Sequence, residues 1–187
     1  MSNELDGKRI LILATNGFEQ SELEVPRDRL KAAGAQVDIV APDAADIEGW
    51  DHKDWGRAVK VDKTLRDAKE ADYDAIVLPG GVMNPDALRI NKEALALIKA
   101  FYDAGKTVAA VCHAPWLLIE TGLAKDRKMT SYKTIKTDVI NAGGLWEDSA
   151  VVTDNGVITS RNPGDLEAFS KKIIEEVREG RHQRKAA

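Results

Sequence analysis

The feature that most constrains this chain is a repeated alternation. Short apolar runs rich in Val, Ile and Leu are each followed by a polar stretch carrying apolar residues at helical spacing. Residues 8–15, 36–41, 74–79 and 107–111 read as strands, and 19–33, 91–103 and 164–178 as helices. Apolar runs this short fit strands buried on both faces. Strands that alternate with helices imply a mostly parallel sheet with helices on both sides. Asp154-Asn155-Gly156 between residues 150–153 and 157–160 is a hairpin signal, and 134–141 reads as a short helix closed by Gly143-Gly144. Pro26 falls inside the first helix, which should therefore start late or bend. Residues 42–60, with Trp50, His52 and Trp55 among acidic side chains, read as a long irregular loop, and loops of that length are often functional. No repeat, linker or low-complexity segment divides the chain, so residues 1–187 form one domain.

The next constraint is local. The strand at 107–111 stops at Cys112, and helix-compatible sequence begins at His113 and runs to Gly122. A residue at such a turn projects beyond the carboxyl end of the sheet with a helix amino terminus behind it, the geometry of a nucleophile elbow, although the Gly-x-Ser-x-Gly spelling is absent. Cys112 is the single cysteine. The competing reading is a structural core cysteine. In a parallel sheet, functional residues gather beyond the carboxyl ends of the strands. Three stretches fall there: residues 16–22, residues 80–86, and Cys112-His113.

Composition narrows the class. The net charge of -4 with no dominant basic face argues against nucleic-acid binding. No apolar run is long enough to cross a bilayer, and the polar start of the chain has no apolar signal core. Together with one cysteine, which excludes an intrachain disulfide, these point to a reducing cytoplasm. His52, His113, His182 and Cys112 lack metal-ligand spacing, so neither a metal nor a cofactor is expected. The basic stretch 178–185, with His182, reads as a frayed helix end.

Leu78-Pro79-Gly80-Gly81, Ala110-Val111-Cys112-His113-Ala114-Pro115, Thr130-Ser131-Tyr132 and Asn16-Gly17-Phe18-Glu19 resemble, in that order, the motifs of the PfpI intracellular-protease branch of the class I glutamine-amidotransferase-like superfamily. That superfamily also contains the parkinsonism-associated protein deglycase. The resemblance spans essentially the whole chain. It implies a flavodoxin-like α/β three-layer sandwich, homo-oligomers built from dimers, and a stress-linked cytoplasmic role. The implied activities are peptidase, protein deglycase and glutathione-independent glyoxalase, acting on small carbonyl compounds or on glycated or peptide substrates. Position by position, the resemblance makes Cys112 the nucleophile, His113 its partner, and Glu19 the acidic residue that meets the thiol. Asp86 is similar to the carboxylate some members lend to a neighbouring subunit's histidine, with an extra residue between Gly81 and Pro85 disturbing that match. Gly81 and His113 would supply oxyanion-binding amides. Residues 160–163, Ser-Arg-Asn-Pro, hold no histidine where glutamine amidotransferases carry theirs, so that activity is not expected.

The chemistry adds two conditions. A nucleophilic thiol should ionise below its reference value of about 8.5. A charged Glu19 would oppose this, so Glu19 should be buried and protonated, donating a hydrogen bond to sulfur. The alternative to an enzyme is a redox-sensing stress protein or chaperone that works through oxidation of Cys112.

Overall fold

A computed structural model of the protein describes residues 3–184. Met1, Ser2 and Lys185, which entered the readings of the chain start and the basic stretch, lie outside the described residues.

The described residues form twelve strands: β1 (Arg9–Leu13), β2 (Phe18–Glu19), β3 (Gln36–Ala41), β4 (Ile47–Asp51), β5 (Asp54–Val59), β6 (Lys63–Thr64), β7 (Ala75–Leu78), β8 (Thr107–Val111), β9 (Lys128–Met129), β10 (Leu145–Trp146), β11 (Val151–Asp154) and β12 (Val157–Ser160). The α-helices are α1 (Gln20–Ala32), α2 (Met83–Leu88), α3 (Lys92–Asp103), α4 (Pro115–Glu120), α5 (Lys136–Asn141) and α6 (Leu166–Glu179). Seven strands make the central sheet in the order β11-β12-β8-β7-β1-β3-β6. All its pairings are parallel except the β11–β12 hairpin. The result is the expected flavodoxin-like sandwich.

The two-residue period of a strand divides the core between the two faces. Ile10 and Ile12 of β1 join Val77, Ile158, Leu23 and Leu30 of α1, and Phe169 and Ile173 of α6. Leu11 and Leu13 join Ile76, Leu78, Ile98 and Phe101 of α3, and Leu117 and Leu118 of α4. Each apolar residue of β1 therefore serves one layer or the other, which is why the run shows no polar alternation.

Three expectations need correction. Residues 42–60 are not an irregular loop: β4 and β5 form an antiparallel hairpin, with Trp50 and Trp55 paired edge-to-face at 5.6 Å. The register shifts between Glu48 and Trp50, and the turn uses His52 at φ 56 instead of Asn-Gly, so the usual hairpin signs are missing. The first helix starts at Gln20 and carries Pro26 in its interior. The helix after Cys112 begins at Pro115, with His113 and Ala114 taken up by the turn.

The basic end is likewise docked and not frayed. The His182 amide donates to the Gly105 carbonyl at 2.7 Å. The Arg184 guanidinium donates to the carbonyls of Tyr102, Lys106 and Asn155 and lies 4.3 Å over the Tyr102 ring. Among the described residues no helix is long and apolar enough to cross a membrane.

Candidate active site

Cys112 sits where β8 ends, with φ 64, in the left-handed region that costs a non-glycine residue strain. Both of its backbone groups are held. Its N–H donates to the Ser160 carbonyl at 3.0 Å, and its carbonyl accepts from Tyr132 N–H at 2.8 Å. Strand β12 and the segment after β9 thus hold the conformation, and the thiol is turned into a cavity of about 570 Å³. The wall includes Glu19, Glu22, Trp50, His52, Gly81, His113 and Tyr132.

His113 does face its neighbour, with Nδ1 3.1 Å from Cys112 Sγ. Its Nε2 lies 3.2 Å from Thr134 Oγ1, and the ring stacks on Tyr132 at 4.9 Å. Burial lowers the imidazole pKa, with Asp138 opposing, so the ring is neutral at neutral pH.

The carboxyl against the sulfur belongs to Glu22 and not to Glu19. Glu22 is fully buried, and its Oε2 accepts from Gly80 N–H at 2.8 Å. Its Oε1 has no hydrogen-bond partner, and the carboxyl as a whole interacts with the Cys112 thiol. Burial, followed by repulsion from Glu19, pushes its pKa up to about 8. Glu19 is only half-buried, at the rim, where Ser21 Oγ donates to it at 3.4 Å. Burial raises its pKa as well. The requirement placed on Glu19, a buried protonated carboxyl touching sulfur, is therefore met one helical turn later. The phase of α1 decides between them: Glu22 shares the inward stripe with Pro26 and Leu30 at i+4 and i+8, whereas Glu19 precedes the helix in β2, paired to Trp50 of β4. That stripe is legible in the sequence and was the missed signal.

The thiol also departs from expectation. Burial pushes Cys112 up, and an ionised Glu22 would push it further. The amides of Gly81 and His113 point at the sulfur and act the other way. Cys112 and Glu22 form one coupled pair, and burial favours a single negative charge on it over two. With Glu22 protonated, the repulsion vanishes and the two amides favour the charge on sulfur.

The glycines before the cavity are required by contact. A Cβ on Gly80 would lie 2.5 Å from Glu22 Oε2 and 2.6 Å from Cys112 Cβ. Gly81 has φ 77, and a Cβ there would meet the Gly17 carbonyl at 2.6 Å. Asp86 lies on the exposed side of α2, outside the cavity wall. Among the described residues no cluster of His, Cys, Asp or Glu could hold a metal ion.

A left-handed cysteine between a parallel strand and a helix, backed by a buried glutamate, narrows the relatives such a chain can have. The model of the DJ-1/PfpI family matches residues 8–176. The chain belongs to the DJ-1/PfpI family. Among its relatives, "Deglycase TK1284" of Thermococcus kodakarensis is 39% identical over 91% of this chain and 99% of its own. "Deglycase PfpI" of Pyrococcus furiosus is 41% identical over 89% of this chain and 97% of its own. Drosophila melanogaster DJ-1beta superposes with a TM-score of 0.82 at 29% identity, over 92% of this chain and 94% of that one. The DJ-1/PfpI assignment agrees with the mostly parallel seven-stranded sheet and its covering helices.

Proposed function

We propose that the chain is a cysteine-dependent hydrolase of deglycase or glyoxalase type, acting on α-oxoaldehydes or on their adducts with amines. The observation that carries this reading is the contact set of Cys112: His113 Nδ1 at 3.1 Å, the Glu22 carboxyl, and two amides aimed at sulfur. The deglycase names of its relatives agree with it.

In this reading Cys112 sulfur attacks the aldehyde carbon and forms a C–S bond. The carbonyl π electrons move to oxygen, where the Gly81 and His113 amides hold the oxyanion. The thiol proton passes to neutral His113 Nδ1, or the Glu22 proton is delivered directly, and the product is a hemithioacetal. For an α-oxoaldehyde, removal of the C–H proton and its return to the adjacent carbon gives a thioester. Water then releases a 2-hydroxy acid and restores the thiol, with no external oxidant. Peptide hydrolysis would also need a donor for the leaving amine, and His113 would have to serve alone, which makes it the weaker reading. With no histidine in residues 160–163, a glutaminase triad is not proposed.

The test is methylglyoxal consumption by Cys112→Ala. The expected outcome is a loss of at least about 10³-fold; unchanged turnover would end the proposal. A second reading rests on Glu22: a protonated carboxyl beside sulfur could hydrogen-bond a sulfinate, as a redox sensor requires. Mild peroxide followed by intact-mass measurement separates the two. A stable sulfinate with intact fold and no carbonyl turnover by the reduced protein favours sensing.

A further inference from the structure

The proposed chemistry leaves open what holds the Gly81 amide in place. Gly80-Gly81 is a pair of residues for which rotation of the intervening peptide plane is sterically cheap. A flipped plane would turn a carbonyl oxygen towards Cys112 in place of an N–H. The side chain of Asn84, on α2, is fully buried directly behind this turn. Its Nδ2 donates to two successive carbonyls, Pro79 at 2.9 Å and Gly80 at 3.1 Å, and its Oδ1 accepts from Thr15 N–H at 2.8 Å.

In a trans peptide the carbonyl and the N–H of one plane point in opposite directions. The plane whose carbonyl is Pro79's ends in Gly80 N–H, which donates to Glu22 Oε2 at 2.8 Å. The plane whose carbonyl is Gly80's ends in Gly81 N–H, which points at Cys112 and Glu22. One amide group therefore grips the back of both planes whose fronts face the reacting sulfur and its carboxyl. The Gly80 carbonyl takes a second bond from Glu19 N–H at 3.3 Å. Chained hydrogen bonds of this kind polarise one another, so gripping the carbonyl also makes the N–H a better donor. The bond to Thr15, just beyond β1, ties the grip to the sheet.

We infer that Asn84 is a positioning residue for the anion-binding amides: it locks the Pro79-Gly80-Gly81 planes with their N–H groups towards Cys112 and Glu22 and prevents the turn from flipping. Its importance for turnover rests on the oxyanion role proposed for Gly81. Its effect on the amide itself does not.

The experiment compares wild type with Asn84→Ala and Asn84→Ser through three readouts. For methylglyoxal, kcat should fall by about 10²-fold in Asn84→Ala with KM changed only a few-fold, the mark of a lost oxyanion donor. The pH inflection of Cys112 alkylation by iodoacetamide, a reaction that builds no oxyanion, should move up by about half a unit to one unit as the thiolate loses an aligned amide. The Gly81 amide resonance should shift as its carbonyl partner is lost. A folded variant with an unmoved Gly81 resonance and an unmoved alkylation profile overturns the inference. If wild type fails to consume methylglyoxal, the proposed function falls, while the resonance and the alkylation profile still decide on Asn84. Should neither variant fold, scalar coupling across the hydrogen bonds from the Asn84 side-chain nitrogen to the Pro79 and Gly80 carbonyl carbons in wild type decides: detected coupling supports the grip, and its absence overturns it.

Discussion

The floor and the rim of the cavity are built on different principles. On the floor, Cys112, Glu22, Gly80 and Asn84 are buried and are fixed by hydrogen bonds to the backbone and by contacts with no slack. On the rim, Glu19 and Trp50 are half-buried, while His52, Val82 and Met83 are exposed. A floor of this kind sets protonation states and directions of approach. A rim of this kind can vary in shape and charge without disturbing either. The chemistry should therefore be brittle and the selectivity pliable.

The contrast can be broken most severely at Gly80. Gly80→Ala would drive a methyl into Glu22 and Cys112, and we expect a stability loss of about 2–4 kcal/mol by urea denaturation together with loss of turnover. A variant as stable as wild type would show that the floor can yield. Glu22 comes next. Its folded-state pKa of about 8 stands above the ordinary carboxyl value of 4.5. The native state therefore holds a proton that the unfolded chain releases, and stability is fully present below about 4.5 and lost as pH rises through about 8. The loss should be at most about 5 kcal/mol. Glu22→Gln should flatten the curve, matching wild type near pH 5 and exceeding it near pH 9. A wild-type stability that is level across that range would contradict the buried, protonated carboxyl.

The rim should respond weakly. Glu19→Gln should change kcat for methylglyoxal by less than about 3-fold, because its carboxyl meets Ser21 and not the sulfur; a loss of about 10²-fold or more would erase the distinction between the two glutamates. Smallest of all, Trp55→Ala removes half of an edge-to-face pair on an exposed strand and should cost about 0.5–1.5 kcal/mol without moving the Cys112 alkylation profile.

The same contrast explains what the sequence made legible. Strands β1, β7 and β8 were readable because burial on both faces demands nearly unbroken apolar runs, β3 because its apolar run, residues 37–41, is interrupted only at Asp38, and the elbow because β8 stops at Cys112. The antiparallel pair β11–β12 announced itself through Asp154-Asn155-Gly156. The hairpin of Trp50 and Trp55 was hidden, since its strands mix charged and apolar residues around a register shift and its turn is made by His52 and Lys53. Glu19 and Glu22 are both acidic and close to the start of α1, and only the helix phase, read through Pro26 and Leu30, separates them. Asn84 could not be read at all. Nothing in an isolated asparagine shows that two carbonyls from another segment and an amide from a third will converge on it.

The docked stretch that carries His182 and Arg184 has a consequence for how the molecule comes together. Its partners Tyr102, Gly105, Lys106 and Asn155 are all made earlier by the ribosome. A nascent chain that has emerged as far as α6 therefore holds a complete sheet whose interior strand β8 is still uncovered at its start. The bonds from His182 and Arg184 close that end afterwards, as a latch drawn across the strand from the side opposite the nucleophile. Chains cut short between α6 and His182 should fold to the same architecture yet exchange the amide hydrogens at the start of β8 faster.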